Sequence, residues 1–110
     1  MKHQSLLLVF ILTIFVHTAN AGGDDGLIVV IKDFKFVPPE ITIKKGQILR
    51  WENREKRQYH SVWFEMLDEE EPEDYLFPDD SYEREFTQAG SFPYRCGPHP
   101  EMTGIVLVTD

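Results

Sequence analysis

Short apolar runs of four to six residues, each closed by turn residues, dominate this chain after its first two dozen positions. Leu27–Ile31 is continuous and rich in β-branched residues, and Asp33–Val37 alternates up to Pro38-Pro39. Ile41–Lys44 alternates up to Lys45-Gly46, and Ile48–Asn53 turns every second residue inward. Tyr59–Phe64, Tyr82–Phe86, Phe92–Arg95 and Gly104–Thr109 complete the series. A period of two with no sustained period of 3.6 demands strands, and short strands at this spacing favour two packed sheets. The expectation is all-β: an antiparallel β-sandwich of Greek-key type with seven or so strands. Within it, Ile41–Lys44 and Ile48–Asn53 would form a hairpin, Tyr82–Phe86 a polar edge strand, and Arg54–Arg57 a solvated charged loop.

Two stretches break the pattern. At the start, Lys2 precedes an apolar run from Leu6 to Val16, and Ala19-Asn20-Ala21 follows. This is the layout of a secretory signal peptide over 1–21, cleaved after Ala21, with an apolar core too short for a bilayer span. Residues 22–110 would then form a single exported domain, with a bacterial periplasm as the expected compartment. Between Glu65 and Asp80 stand nine acidic residues and two prolines, which read as an irregular excursion; Asp74–Phe77 has room for one helical turn.

The leader carries one positive and no negative charge, so its removal takes the formal charge from −8 to −9. Such a balance argues against nucleic acid as a partner. The exported part keeps two histidines, His60 and His99, and the chain's single cysteine, Cys96, so no internal disulfide can staple this small domain. All three fall in or near one constellation. Cys96-x2-His99-x2-Met102 is a thiol, imidazole and thioether on one short loop, with Pro98 and Pro100 fixing φ on either side of His99. His60 supplies a second imidazole. Two imidazoles and a thiolate with a weak axial Met make an electron-transfer copper arrangement, whereas a closed zinc site prefers four Cys or His ligands. Singly, each residue has an ordinary structural explanation: a buried thiol, a satisfied core histidine, a packed methionine. Met66 lies outside this spacing and reads as packing or loop.

The segments Phe36–Gly46, Leu49–Asn53, His60-Ser61-Val62 and Tyr94–Met102 resemble those of the cupredoxins, specifically the plastocyanin and amicyanin group of small blue copper proteins. The resemblance covers nearly all of residues 22–110. It implies one copper ion cycling between Cu(I) and Cu(II), held by His60, Cys96, His99 and Met102 with Met102 axial. It implies electron exit at the solvent edge of His99 amid an apolar patch, for which Pro38, Pro39 and Pro100 are candidates. Two positions depart from the family pattern: Ser61 stands where an asparagine commonly braces the ligand loop, and Glu101 where amicyanin-like loops are often apolar.

Four protein ligands leave no open position for a substrate, which favours an electron carrier over an enzyme. The partners would be larger redox proteins. If the acidic run Asp68–Asp74 steers association, the partner is a basic one such as a c-type cytochrome; the plain alternative is a solvated loop. Small size and strong charge favour a monomer. Two other readings stand beside the carrier. One is copper tolerance or delivery, against which the chain lacks Met-rich or His-rich tracts. The other is an open site in which Glu65 or Glu101 enters the coordination sphere.

Overall fold

The computed structural model describes residues 27–110; the expected leader lies outside them. Seven strands run in the order β1 (Ile28–Lys32), β2 (Lys35–Val37), β3 (Glu40–Lys44), β4 (Ile48–Asn53), β5 (Ser81–Glu85), β6 (Gly90–Arg95) and β7 (Thr103–Thr109). They form a four-stranded sheet, β2-β1-β4-β5, and a three-stranded sheet, β3-β7-β6. The all-β sandwich expectation holds, with one correction to its direction. Two of the pairings, β1 with β4 and β3 with β7, are parallel, so the sheets are mixed.

Alternation explains the layering. In β4, Leu49, Trp51 and Asn53 are buried while Ile48, Arg50 and Glu52 are half-covered. In β1, Val29 and Ile31 point inward, and Val106 and Val108 answer from β7. Trp51 is the centre of this core: its ring lies within 5.5–6.5 Å, centroid to centroid, of Tyr82, Tyr94, Phe64 and Phe86. Burying an aromatic side chain of this kind contributes about 1.5–3 kcal/mol, and the edge-to-face pairs add to that. Burial pushes the Tyr94 phenol up to about 12. Gly104 is required beside it, because a Cβ there would overlap the phenol.

Four further expectations are corrected. β3 and β4 do not form a hairpin; β3 pairs with β7 and β4 with β1 and β5, so the turn at Gly46 (φ 93°) carries the chain from one sheet to the other. Each strand has an alternating face to bury, and opposite sheets bury both against one core. Tyr59–Phe64 is not a strand. Its ladder pairing is limited to single bridges, His60 with Leu76 and Trp63 with Arg95, while Phe64 turns into the core against Trp51 and Tyr59 stacks on Tyr75 at the surface. Asp74–Phe77 makes no helical turn, because Leu76 is the residue that bridges His60; the one helical turn of the excursion is a 3-10 turn at Glu65–Leu67. Met66 within it is 75% exposed, a loop residue and not a packing one. The strand expected over Asp33–Val37 starts at Lys35, with Asp33 and Phe34 forming the turn. β5 is an edge strand as expected, with Ser81, Glu83 and Glu85 exposed.

Candidate metal centre

β6 ends at Arg95 and β7 begins at Thr103, so the segment between them is a loop at one end of the sandwich. Its backbone closes on itself: Cys96 N–H donates to the Met102 carbonyl (2.9 Å) and Met102 N–H to the His99 carbonyl (3.0 Å). These two bonds hold the thiol, the imidazole and the thioether residue on one tight turn. Met102 is buried at 3% exposure.

His60 arrives from the irregular segment after β4, and Asn53 is the reason it arrives there. Asn53 is fully buried at the end of β4. Its amide donates to the carbonyls of Gln58 (2.9 Å) and Leu76 (2.8 Å), and its carbonyl accepts from Glu55 N–H (2.9 Å). One side chain thus ties the 54–58 loop to the acidic excursion, and His60 and Leu76 complete the join with two backbone bonds.

The loop and this segment meet at three donor atoms. His60 Nδ1 and His99 Nδ1 are 3.2 Å apart, and Cys96 Sγ lies 3.6 Å from the first and 3.4 Å from the second. Cys96, His60 and His99 also form the one cluster of three potential metal-binding His, Cys or acidic side chains among the described residues. A point equidistant from the three donors lies about 2.0 Å from each, the length of a first-row metal bond to imidazole nitrogen. The triangle therefore fits a trigonal ion, and its two imidazole nitrogens and one thiolate sulfur suit copper.

Protonation agrees with this role. Glu55 Oε2 accepts from His60 Nε2 at 2.9 Å, which puts the ring proton on Nε2 and leaves the Nδ1 lone pair facing the cluster. Burial holds the His60 imidazole below its ordinary value, and outweighs the pull of Glu55 in the other direction. A neutral imidazole is the ligand form. Burial would raise the Glu55 carboxyl, but hydrogen bonds from the Phe34 and Asp33 backbone and from His60 prevail and hold it low. Burial also pushes the Cys96 thiol up against the bonds from Ser61 and His99, so a metal that takes the thiolate must displace a proton.

Ser61 does the bracing expected of the family's asparagine. Its hydroxyl accepts from Gly97 N–H at 2.8 Å, and its own N–H points at Cys96 Sγ at 3.4 Å. A Cβ at Gly97 would push aside the Glu71 carboxylate and crowd the Ser61 hydroxyl at 3.0 Å. Glu65 is engaged elsewhere, in an ion pair with Arg95 (2.9 Å), and Glu101 is exposed.

Sequence reasoning missed Glu55, Phe34 and Tyr59. Glu55 sat in a loop assigned to solvent, yet its side chain is only 8% exposed. Phe34 and Tyr59 are exposed aromatics whose rings lie 4.9 and 6.4 Å from that of His99. An acidic residue just past a buried strand-end Asn was the available signal for Glu55; nothing in the strand pattern marked Phe34.

Residues 5–108 match the profile of the Cupredoxin-like domain. Amicyanin from Paracoccus denitrificans is 39% identical over 94 residues, covering 82% of this chain and 71% of that protein. Amicyanin from Paracoccus versutus is 34% identical over 86 residues and 76% of this chain, and the chain spans 65% of that relative's length. Plastocyanin from Scenedesmus fuscus is 33% identical over 104 residues, covering 83% of this chain and 97% of the relative. Among solved structures, a reduced Cu(I) form of an amicyanin variant at pH 4 superposes with a TM-score of 0.66 at 31% identity, covering 80% of this chain and 87% of the other.

Proposed function

This chain belongs to the cupredoxin-like family, and from that membership and the Cys96–His60–His99 triangle we propose that it carries single electrons between redox proteins through one bound copper ion. The observation that carries the reading is the spacing of the three donors, 3.2–3.6 Å apart, around a point at metal-bonding distance. When bound, copper supplies a one-electron couple between Cu(I) and Cu(II). The protein's part is to hold the ligands still. His60 and Cys96 are fully buried, and Glu55, Ser61 and the two loop-closing backbone bonds each fix one ligand-bearing segment, so little needs to move when charge changes. Met102, buried and tied back to Cys96 and His99, would be the fourth ligand in this reading, its thioether adding a soft donor that suits copper. His99 is the least buried of the His and Cys donors and is the route to solvent.

Burial also argues against delivery as the function: a chaperone must surrender its ion readily, and here two of the three donors have no exposure. An enzyme reading has no support in a set of four protein ligands without an open position. For partner chemistry, the excursion leaves Asp68, Glu70, Glu73 and Asp74 exposed on a chain of formal charge −8. That supports a basic redox protein, such as a c-type cytochrome, as the partner. The leader pattern at 1–21 supports a periplasmic site of action, and among the described residues no helix is long and apolar enough to cross a membrane.

The test is to add Cu(II) to purified protein lacking residues 1–21 and record visible absorption with voltammetry. An intense thiolate-to-copper band with reversible one-electron cycling is expected. A colourless, readily chelated copper would overturn the carrier reading in favour of delivery.

A further inference from the structure

The turn joining β1 to β2 has two residues, Asp33 and Phe34, between the paired Lys32 and Lys35. Both have positive φ, 53° and 59°. A two-residue turn of this hand fits the twist of a hairpin, but its central positions belong to Asn, Asp and Gly. Asp33 suits its place. Phe34 does not, since a bulky side chain in the left-handed region is an outlier. A residue held against its preference is over-determined by its surroundings, and such positions cluster at functional sites.

Two contacts hold Phe34, and both lead to the metal cluster. Its backbone N–H donates to Glu55 Oε2 at 2.8 Å, the same oxygen that accepts from His60 Nε2 at 2.9 Å. Its ring stands edge-on to both imidazoles, 5.2 Å and 88° from His60 and 4.9 Å and 77° from His99. The ring gains little from the core: it is 44% exposed and lies outside the buried cluster. The strain is therefore not offset by deep apolar burial. What the conformation achieves is to wedge one aromatic ring against two imidazoles from different segments, anchored to the carboxylate that orients one of them.

We infer that Phe34 is a positioning residue for the copper site, and that the strained Asp33–Phe34 turn exists to hold its ring against His60 and His99. The inference rests on the copper reading for its purpose, but its geometry can be tested without the metal. A glycine at 34 accepts the positive φ and removes the wedge; a leucine keeps the strain and loses the ring; a tyrosine keeps both. His99 depends on the wedge most, since it sits on a loop and is only half-buried.

The first experiment uses the metal-free protein lacking residues 1–21. Imidazole NMR signals of His99 should be sharp in the wild type and in Phe34→Tyr, and broadened by exchange in Phe34→Gly and Phe34→Leu. Thermal midpoints should place Phe34→Gly above Phe34→Leu, because only glycine relieves the turn. The second experiment uses the copper-loaded protein. Phe34→Gly and Phe34→Leu should lose copper to a chelator about tenfold faster and show a shifted reduction potential, with Phe34→Tyr restoring both, as expected for an outer partner of a ligand. Unchanged His99 signals and unchanged potential in both variants, or a Phe34→Gly protein less stable than Phe34→Leu, would overturn the proposal. Failure of the wild type to form a thiolate–copper band would sink the copper reading instead, while the metal-free comparison would still decide whether Phe34 positions the imidazoles.

Discussion

Replacing Ser61 by alanine removes one oxygen that joins the two halves of the metal centre. Ser61 follows His60 in sequence, and its hydroxyl accepts from Gly97 N–H, one residue past Cys96, at 2.8 Å. Ser61 itself is 1% exposed while Gly97 is half-buried. A donor orphaned in a fully buried place costs about 1–3 kcal/mol, and partial access at Gly97 places Ser61→Ala in the lower part of that range, about 1–2 kcal/mol. For a domain of this size that corresponds to a fall in thermal midpoint of roughly 4–16 °C. If the loss falls on local opening of the loop, copper should leave about 5–30-fold faster. The bond from Ser61 N–H to Cys96 Sγ comes from the backbone and survives in alanine, so the thiolate band should remain. Urea unfolding of the metal-free protein and chelator-driven copper release measure the two effects. A Ser61→Ala protein within about 0.3 kcal/mol of wild type, with the same release rate, would refute the bracing argument.

Glu55→Ala removes the one oxygen that accepts from both Phe34 N–H and His60 Nε2, so the ring tautomer is no longer fixed; copper affinity should fall about 10–100-fold in a chelator competition. The His60 imidazole is held below its ordinary value in the folded chain, so the unfolded chain binds more protons below it. Stability of the metal-free protein should therefore be fully present above about pH 6.5 and decline as pH falls below that, and a urea midpoint that rises on acidification would contradict this. Neutralising Asp68, Glu70, Glu73 and Asp74 together should slow electron transfer to a lysine-rich cytochrome c at low salt, with the visible spectrum unchanged; equal rates would dismiss the steering role. Gly104→Ala must displace the buried Tyr94 ring, and should destabilise the fold by about 1–3 kcal/mol in urea titration without altering the copper band.

What the sequence made legible follows from which physics is local. Strand positions were readable because alternation in Ile48–Asn53 reports burial residue by residue, and a short continuous apolar run marks Gly104–Thr109 as a buried strand. The partner of each strand was not readable: nothing in Ile41–Lys44 records that its neighbour is β7, because the choice is made by the core that both sheets share. Cys96, His99 and Met102 were legible since three donors lie within seven residues and proline stiffens the loop between them. His60 followed by exclusion, being the other histidine outside the leader. Its true setting did not, because aromatic and β-branched composition reads as strand whether the segment joins a sheet or, as here, runs irregularly with single bridges on either side.

The acidic excursion shows the limit of charge as a guide. As sequence, residues 65–80 look like a single solvated run, since nine carboxylates leave little to bury. In the fold they divide by position. Glu65 pairs with Arg95 beside Cys96, Glu69 pairs with Arg84 while its carbonyl accepts from the Trp63 indole, and Glu71 lies over Gly97. Leu76 bridges His60, and Asn53 holds the Leu76 carbonyl from the other side. The contacts of Glu65, Glu71 and Leu76 reach a proposed ligand or a residue next to one. The excursion is therefore a wall of the metal centre. The exposed carboxylates outside these contacts, those at 68, 70, 73 and 74 among them, are free to act on an approaching partner, so charge steering and the holding of the site fall to different side chains of one segment.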